Sequence, residues 1–377
     1  MARPLVAFVV GTRPDAIKTA PVVLEFRKYD ADVETLLLST GQHREMLPQA
    51  LEAFGLAPDV DLQVMRDQQT LALITARILD GLDGLFEDRR PDVVFAQGDT
   101  TTTFVAGLAA FYRRIPFAHI EAGLRTDTVW DPYPEEFNRR TVSQFAAYHF
   151  APTVHARDNL LKEGAAAKDI FVTGNTGIDA VTIVGERHAK EWFPDHDGRV
   201  VLLTTHRREN WGEPQRRIAQ AAAEIVDRNP DVLLVVPMHR NPAVRETLSA
   251  ALEGRHRVHL IDPPDYADFV KLMQRCCLVL TDSGGVQEEA PSFGKPVLVL
   301  RETTERPEGV EAGTARLVGT DKARIIEESC TLLSDPAAYE KMAKAVSPYG
   351  DGRASERIRS VVLRRLGVSE SEEPMWA

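Results

Sequence analysis

Cysteine is scarce in this chain, and long apolar runs are lacking. The 377 residues include three cysteines, Cys276, Cys277 and Cys330. This spacing gives neither a disulfide framework nor a zinc-binding pattern, which excludes disulfide-rich and zinc-finger classes and favours a reducing cytoplasm. No apolar segment approaches the roughly 20 residues that a membrane-spanning helix needs, so we expect no membrane partner. The apolar stretch Leu5–Val10 is short and has no cleavage site after it, so it predicts a buried first strand and not a signal peptide.

Positive charge is also in short supply. The chain carries 45 Lys and Arg against 56 Asp and Glu, which gives a formal net charge of -11. Nucleic-acid-binding proteins usually show the opposite balance, so we expect no nucleic-acid partner. A phosphate-bearing ligand would then depend on a few local cations and on main-chain N–H groups at helix starts.

Short apolar runs alternate with longer amphipathic segments along most of the chain, which predicts parallel sheets covered by helices on both faces. The predicted strands are Leu5–Val10, Glu34–Ser39, Asp92–Ala96, Pro116–Ile120, Tyr148–Ala151, Ile170–Thr173, Val200–Thr204, Val232–Pro237, Val258–Ile261, Leu278–Thr281 and Pro296–Leu300. The predicted helices are Ala16–Tyr29, Thr70–Phe86, Thr102–Arg113, His155–Glu163, Pro214–Arg228, Tyr266–Arg275, Val286–Phe293 and Ala354–Leu366.

The strand–helix rhythm restarts near the middle of the chain, and the length exceeds what one ordinary core needs. We therefore predict two Rossmann-like domains, residues 1–175 and residues 176–353. By analogy with two-domain folds of this kind, a final helix at about 354–377 returns to the first domain. Ligands of such sheets bind beyond the carboxyl ends of the strands, so the residues that follow each strand are the informative ones.

Three segments after strands are candidates for holding phosphate. The first strand runs into Gly11–Lys18, in which Arg13 and Lys18 flank a helix start; the single glycine does not make a dinucleotide fingerprint. Ser283, Gly284 and Gly285 follow a later strand, and Glu289, inside the next helix, can accept from ribose hydroxyls. The plainer reading of that segment is a capped glycine turn. Arg306 either contacts a phosphate or only pairs with Glu302 or Glu305.

Carboxylates and a histidine follow other strands. Asp99 and Glu121 end two strands of the first domain, and Glu135 follows in a Pro-Glu-Glu segment. Each alone reads as a helix cap or a surface charge, whereas three together raise one another's pKa, as acid–base sites require. His206 follows a strand of the second domain and is flanked by arginine, which favours an anion site over a structural role; His239 is a weaker candidate.

Seven motifs, in order and at matching spacing, resemble those of the non-hydrolysing UDP-N-acetylglucosamine 2-epimerases: Gly11–Lys18, Gln97–Thr101, His119–Thr126, Pro134–Arg139, Thr205–Asn210, Asp282–Glu289 and Thr303–Glu308. The resemblance implies a GT-B fold with the active site in the interdomain cleft, a cytoplasmic homodimer, and no cofactor or metal. It implies reversible conversion of UDP-GlcNAc to UDP-ManNAc through elimination and re-addition of UDP.

The resemblance also implies residue roles. The catalytic residues would be Asp99, Glu121, Glu135 and His206, and the UDP-binding residues would be Arg13, Lys18, Phe269, Ser283, Gly284, Gly285, Glu289 and Arg306. Many bacterial members bind a second UDP-GlcNAc as an activator, and the corresponding positions here are Gln42, His43, Gln68, Arg208 and His239. Glu45 and Gln68 replace the expected Gln and Arg, which predicts weak or absent substrate activation. Asp15, Phe137 and Pro264 are further departures from the family pattern.

Other functions share parts of this pattern. An epimerase acting on a modified UDP-sugar, such as a 2,3-diacetamido uronate, would need the same carboxylates. A GT-B glycosyltransferase would share the UDP site but needs an acceptor site in place of proton chemistry. A non-catalytic UDP-sugar sensor would have no use for the acidic set.

Overall fold

The computed structural model describes residues 3–42, 46–66, 69–187 and 190–376. The chain divides into two compact units, the first formed by Met1–Ile183 with Gly350–Ala377 and the second by Val184–Tyr349. The division thus falls a few residues after the predicted boundary at 175, within a helix, and a few residues before the predicted one at 353.

The first unit is built on a parallel sheet whose strands are apolar and buried, as expected for a sheet covered on both faces. Its strands, in the sheet order β3-β2-β1-β4-β5-β6-β7, are β1 Leu5–Val10, β2 Glu34–Ser39, β3 Val60–Asp61, β4 Val93–Gln97, β5 Phe117–Ile120, β6 Tyr148–Ala151 and β7 Ile170–Val172. Its helices are α1 Arg13–Arg27, α2 Met46–Glu52, α3 Leu71–Arg89, α4 Thr101–Tyr112, α5 Glu135–Ser143, α6 Val154–Lys162 and α7 Thr176–Arg187, the last of which runs past the unit boundary.

The second unit repeats this plan with a six-stranded parallel sheet. Its strands, in the sheet order β10-β9-β8-β11-β12-β13, are β8 Arg199–Thr204, β9 Val232–Pro237, β10 Val258–Ile261, β11 Leu278–Thr281, β12 Val297–Val299 and β13 Ala315–Leu317. Its helices are α8 Glu213–Arg228, α9 Pro242–Leu252, α10 Tyr266–Arg275, α11 Gly284–Glu289, α12 Pro307–Glu311, α13 Lys322–Ser334 and α14 Pro336–Ala343.

The last helix, α15 (Ala354–Arg365), belongs to the first unit and packs on α1. Its buried Arg359 pairs with Glu25 of α1 at 3.0 Å. The first N–H groups of α15, those of Ala354 and Ser355, donate to the carboxylate of Asp179 at 3.2 and 2.7 Å. Asp179 therefore supplies the N-terminal cap that the sequence of α15 lacks, from a position far away in the chain.

Most predicted strands are confirmed to within a residue, and the differences have local causes. The predicted helix Val286–Phe293 is instead α11 followed by a 3-10 turn over Ala290–Phe293. Pro291 has no N–H to donate, so the α-helical pattern cannot continue through it, and Gly294 ends the turn at φ +64°. The short strands β3 and β13 were not predicted. No helix in the described ranges is both long and apolar enough to cross a bilayer.

Candidate active site

The carboxyl ends of β1, β4 and β5 lie side by side in the first sheet, and the predicted carboxylates follow two of them. The turn after β1 is tight, because a Cβ on Gly11 would lie 1.9 Å from Thr102 Oγ1. Arg13 and Pro14 open α1, as the sequence predicts. Lys18, one turn further, points its ammonium at the carboxylate of Glu121, a contact that the sequence did not predict.

Glu121 directly follows β5 in a strained conformation. Its φ is +64°, a left-handed value that costs a non-glycine residue roughly 1–3 kcal/mol. Its carboxylate contacts Lys18 and Gln97, and Asn175 Nδ2 lies 3.4 Å from Oε1. Gly123 also has positive φ, and a Cβ there would lie 2.2 Å from the Ala156 carbonyl oxygen. The backbone of this segment is thus fixed by its surroundings and holds the Glu121 carboxylate in one place.

Asp99 lies in the turn between β4 and α4. The cap of α4 is Thr100, whose hydroxyl accepts from Thr103, so the capping role considered for Asp99 belongs to its neighbour. The Asp99 side chain is 31% accessible, and its Oδ2 lies 3.2 Å from Arg139 Nη1. The surrounding protein nevertheless removes much of its water, and this desolvation is the largest cause of a raised pKa.

The two other predicted carboxylates act on Asp99. The charges of Glu121 and Glu135 raise the pKa of Asp99, whereas Arg139 and Lys18 lower it. Glu135 is the first residue of α5. The structure therefore places the charges of Glu121 and Glu135 within electrostatic reach of Asp99, an arrangement suited to acid–base chemistry.

Asp15, a departure from the family pattern, is fully enclosed below this cluster. Its carboxylate accepts from the N–H groups of Gly11 and Thr12 at 3.3 and 3.1 Å, from Thr12 Oγ1 at 2.7 Å and from Thr100 Oγ1 at 3.2 Å. Burial outweighs these hydrogen bonds and raises the pKa of Asp15 to about 6. Asp15 thus links the turn after β1, through Gly11 and Thr12, to the turn after β4, through Thr100.

In the second unit, Asp282 organises the ends of β8 and β11. Its fully buried carboxylate accepts from the main-chain N–H groups of His206 and Arg207 at 3.0–3.1 Å, and from Thr205 Oγ1 and Asn210 Nδ2 at 2.9 Å. This set of donors shapes the whole segment Thr205–Asn210. The sequence had considered Asp282 only as part of a helix cap.

His206 is oriented by the same carboxylate. Its Nδ1 lies 3.4 Å from Asp282 Oδ1, and its ring stacks on that of His239 with the ring centres 5.8 Å apart. Burial lowers the pKa of His206, more than the nearby Asp282 raises it, so the ring is neutral near pH 7. A neutral ring held by Asp282 at Nδ1 leaves Nε2 to face a ligand.

The turn before α11 gathers cations around glycine. A Cβ on Gly284 would lie 3.7 Å from the guanidinium nitrogens of both Arg207 and Arg306. Arg306 is held there by buried Glu288, with Glu305 more distant at 3.9 Å; the sequence had considered only Glu302 and Glu305 as its partners. Arg207 was not predicted as a site residue, although the Arg-Arg pair after His206 was the signal that pointed to it.

Other predicted residues lie near these turns. Ser283 stands at the start of α11, and Glu289 Oε1 lies 3.8 Å from where a Cβ on Gly285 would be. Phe269 is half-buried on α10. Among the candidates for a second ligand site, Gln42 accepts from Thr102 in the first unit. Arg208 and His239 belong to the second unit, and His43 and Gln68, like Glu45, fall outside the described residues.

Two further residues of the first unit were missed. Asn138 Nδ2 donates to the Asp99 carbonyl oxygen at 2.8 Å, and His119 Nε2 contacts the Gly98 carbonyl oxygen at 2.7 Å. Burial lowers the pKa of His119 to about 3, so its ring is neutral and donates one hydrogen bond. Both residues stand inside the motifs that carried the family resemblance, but nothing in the sequence says which backbone atom each one holds.

Two parallel-sheet units, each with polar side chains after its central strands, define an α/β protein of the GT-B-like class. The family model of UDP-N-acetylglucosamine 2-epimerase matches residues 27–363. The chain belongs to the UDP-N-acetylglucosamine 2-epimerase family and is an enzyme of the isomerase class. The fold and the family that the sequence predicts are thereby confirmed.

Individual relatives agree over nearly the full length. The UDP-N-acetylglucosamine 2-epimerase of Bacillus subtilis is 51% identical over 366 residues, covering 97% of this chain and 96% of that protein. The enzyme of the same name from Escherichia coli K12 is 50% identical over 361 residues, covering 93% and 96%. A crystal structure of the Neisseria meningitidis UDP-GlcNAc 2-epimerase bound to UDP-GlcNAc gives a TM-score of 0.87 at 47% identity, covering 96% of this chain and 100% of that one.

Proposed function

We propose that this protein interconverts UDP-GlcNAc and UDP-ManNAc by anti elimination of UDP and its re-addition. A carboxylate takes the proton from C2 of the sugar, the C1–O bond to UDP breaks, and C1 and C2 become joined by a double bond. The intermediate formed in this step is enzyme-bound 2-acetamidoglucal. A proton then returns to C2 from the opposite face while a phosphate oxygen of UDP bonds to C1, so atoms and charge balance without an oxidant.

The observation that carries the proposal is the group of carboxylates around Asp99. Glu121 follows β5, Glu135 begins α5, and both act on Asp99. Proton transfer at both faces of one carbon needs more than one acid–base group, with pKa values set by their surroundings. Desolvation together with Glu121 and Glu135 raises the pKa of Asp99, which makes it able to hold a proton as well as to release one. The strained backbone of Glu121 supports a functional role for that residue. We assign Asp99, Glu121 and Glu135 as the catalytic carboxylates.

Departure of UDP is the other half of the reaction, and we assign it mainly to the second unit. Ser283 and the neighbouring glycines offer hydroxyl and N–H groups to the pyrophosphate, and Arg306 adds a fixed positive charge. Each charge-assisted contact is worth roughly 1.5–3 kcal/mol, which favours the departing anion. His206 would donate a hydrogen bond to it from Nε2 once the ring has taken up a proton, which the charge of the departing anion favours.

The remaining UDP contacts are assigned by resemblance. Glu289 would accept from the ribose hydroxyls, Phe269 would lie against the uracil, and Arg13 and Lys18 would contact the phosphates from α1. The relative from Methanocaldococcus jannaschii, 32% identical, has been solved with UDP-GlcNAc and UDP bound, which supports ligands of this class.

Two properties of the intact enzyme are part of the proposal. We expect a homodimer, to be checked by light scattering coupled to size exclusion. We also expect weak or absent activation by a second UDP-GlcNAc, so initial rates should follow a hyperbola in substrate concentration. A strictly sigmoidal curve would contradict the second expectation.

The deciding experiment follows the reaction by proton NMR in D2O. UDP-GlcNAc should yield UDP-ManNAc with deuterium at C2 and without accumulation of free ManNAc. If the C2 proton signal stays unchanged although UDP binds, UDP-GlcNAc is not the substrate. A 2,3-diacetamido UDP-sugar would then be tested, and after it an acceptor-dependent transfer.

A further inference from the structure

Helix α5 holds Asp99 at two points. Asn138 Nδ2 donates to the Asp99 main-chain carbonyl at 2.8 Å, and Arg139 Nη1 lies 3.2 Å from Asp99 Oδ2. The two residues are adjacent in the helix, so the backbone and the carboxylate of Asp99 are fixed by one rigid element. A carboxylate that must face the reacting carbon benefits from this kind of support.

Arg139 is itself anchored by a carboxylate that solvent does not reach. The Glu136 side chain is 0% accessible, and its Oε2 lies 3.0 Å from Arg139 Nε, an ion pair whose geometry does not form a hydrogen bond. Its other oxygen accepts from Arg140 Nε at 2.7 Å, and Arg140 also donates to the Thr126 carbonyl at 2.7 Å. A buried carboxylate is costly unless it is paired, so Glu136 is retained for the arginines that it fixes.

Four charged side chains act on Asp99, and they come from three places. Lys18 reaches it from α1, Glu121 from the end of β5, and Glu135 and Arg139 from α5. Arg139 is the strongest of the four, and with Lys18 it opposes the two carboxylates. Without Arg139, Lys18 alone among these four side chains would oppose the desolvation and the two carboxylates. The protonated form of Asp99 would then be favoured.

We propose that Arg139, anchored by Glu136, is a positioning residue that orients the Asp99 carboxylate and maintains its ionised form. The inference rests on the proposed catalytic role of Asp99. Glu136 is completely buried and has no route to substrate, so it acts only through Arg139. Arg139 and Glu136 therefore contribute to proton transfer through Asp99.

The test is the pH dependence of kcat in Arg139→Met, Arg139→Lys and Glu136→Gln. Loss of an adjacent opposite charge raises a carboxyl pKa by about one to three units, so the acid limb of Arg139→Met should move up by that amount. Arg139→Lys keeps the charge without the planar fork, so a smaller upward shift is expected. Glu136→Gln removes the charge that holds Arg139 in place, so its acid limb should also move up, by less than that of Arg139→Met.

Controls separate this effect from simple destabilisation. Arg357 is equally buried and pairs with Asp351 in the same unit, with both contacts at 2.7 Å. Arg357→Met should lower the melting temperature and leave the acid limb in place. If Arg139→Met does not fold, the upward shifts of Arg139→Lys and Glu136→Gln still decide.

Each outcome points to one conclusion. Upward shifts in the Arg139 and Glu136 variants support the positioning role, whereas acid limbs that stay at the parent pH in folded variants, or a downward shift in Glu136→Gln, overturn it. Asp99→Asn is measured alongside. If that variant retains parental activity, the catalytic assignment of Asp99 has failed. If it is inactive while the Arg139 variants keep the parental profile, only the inference about Arg139 has failed.

Discussion

The turns after β4 and β11 occupy the same place in their two sheets. Each of these strands pairs with the first strand of its unit on one side and with the next strand of the chain on the other. Each is followed closely by an aspartate, Asp99 in the first unit and Asp282 in the second. The two carboxylates have nevertheless been given opposite surroundings.

Asp282 is fully buried and accepts hydrogen bonds from four different residues, including two main-chain N–H groups. Asp99 is 31% accessible, faces one guanidinium and stands near two other carboxylates. A carboxylate surrounded by donors stabilises a loop, because each removed partner would leave a buried polar group unsatisfied. One that is desolvated with few donors is suited to exchange protons. The surroundings, and not the position in the fold, separate the structural aspartate from the one that we assign to the reaction.

Replacing Asp99 should have the largest effect on the reaction. Asp99→Asn keeps the shape of the side chain but removes its acid–base function, so kcat should fall by roughly 10²–10⁴-fold. The unfolding free energy should stay the same or rise slightly, because a poorly solvated charge is lost. Steady-state kinetics and urea unfolding measure the two quantities. A variant that loses stability and keeps its rate would reverse the comparison.

Replacing Asp282 should have the reverse signature. Asp282→Ala leaves several buried donors without an acceptor, at about 1–3 kcal/mol each, so we expect roughly 5 kcal/mol of lost stability. UDP binding should weaken too, since the segment Thr205–Asn210 loses its support. The control is Asp231→Ala, which removes a surface aspartate paired with Arg199. That change should cost at most about 1 kcal/mol. Equal costs in the two variants would contradict the structural role of Asp282.

Asp15 offers an intermediate case, a carboxylate that has donors and is nonetheless destabilised by burial. Its pKa is raised from 3.8 to about 6, so the folded state binds this proton more tightly than the unfolded chain does. The contribution of Asp15 to stability should therefore fall as the pH rises from about 4 to about 6, and its full cost, roughly 3 kcal/mol, is present above that range. Asp15→Asn should remove this contribution and leave that of Asp179, whose pKa burial also raises to about 6, as followed by urea unfolding at about pH 4 and about pH 7.

The control is Asp83, whose contribution to stability changes with pH in the opposite direction. Asp83 pairs with Arg113 on the surface, and this contact lowers the pKa of Asp83. Its contribution to stability is present above the unfolded pKa and is lost as the pH falls. Asp83→Asn should therefore leave the fall in stability between about pH 4 and about pH 6 unchanged. An Asp15→Asn variant with the parental slope would show that its burial is not the cause.

The sequence predicted the fold well because the signals were local. Strands such as Leu5–Val10 and Val232–Pro237 are continuous apolar runs, and the structure confirms both at the predicted residues. The two-residue strand β3 carries no such run. The cap of α15 comes from Asp179, which is distant in the sequence, so no pattern near the helix start announces it.

The candidate site was predictable by residue type but not by contact. The motifs included Asp99, Glu121 and Asp282, yet the sequence does not show that Lys18 pairs with Glu121 or that Asp282 supports the His206 segment. These contacts join residues brought together by the order of strands in the sheets. In the sequence, Glu136 and Arg139 are only members of a motif. Their burial, which the sequence does not show, distinguishes their role from that of Glu135.

The smallest predicted effect separates nucleotide binding from catalysis. Glu289 lies over Gly285 at the turn after β11, and we assign it to the two ribose hydroxyls. Hydrogen bonds to a charged acceptor contribute about 1.5–3 kcal/mol, so Glu289→Gln should weaken UDP binding by roughly 10- to 100-fold. Calorimetry with 2′,3′-dideoxy-UDP provides the control, because the parent protein should prefer UDP while the variant should discriminate little. An equal loss of affinity for both ligands would place Glu289 in a structural role like that of Asp282, whereas a loss confined to UDP would assign it to the ribose.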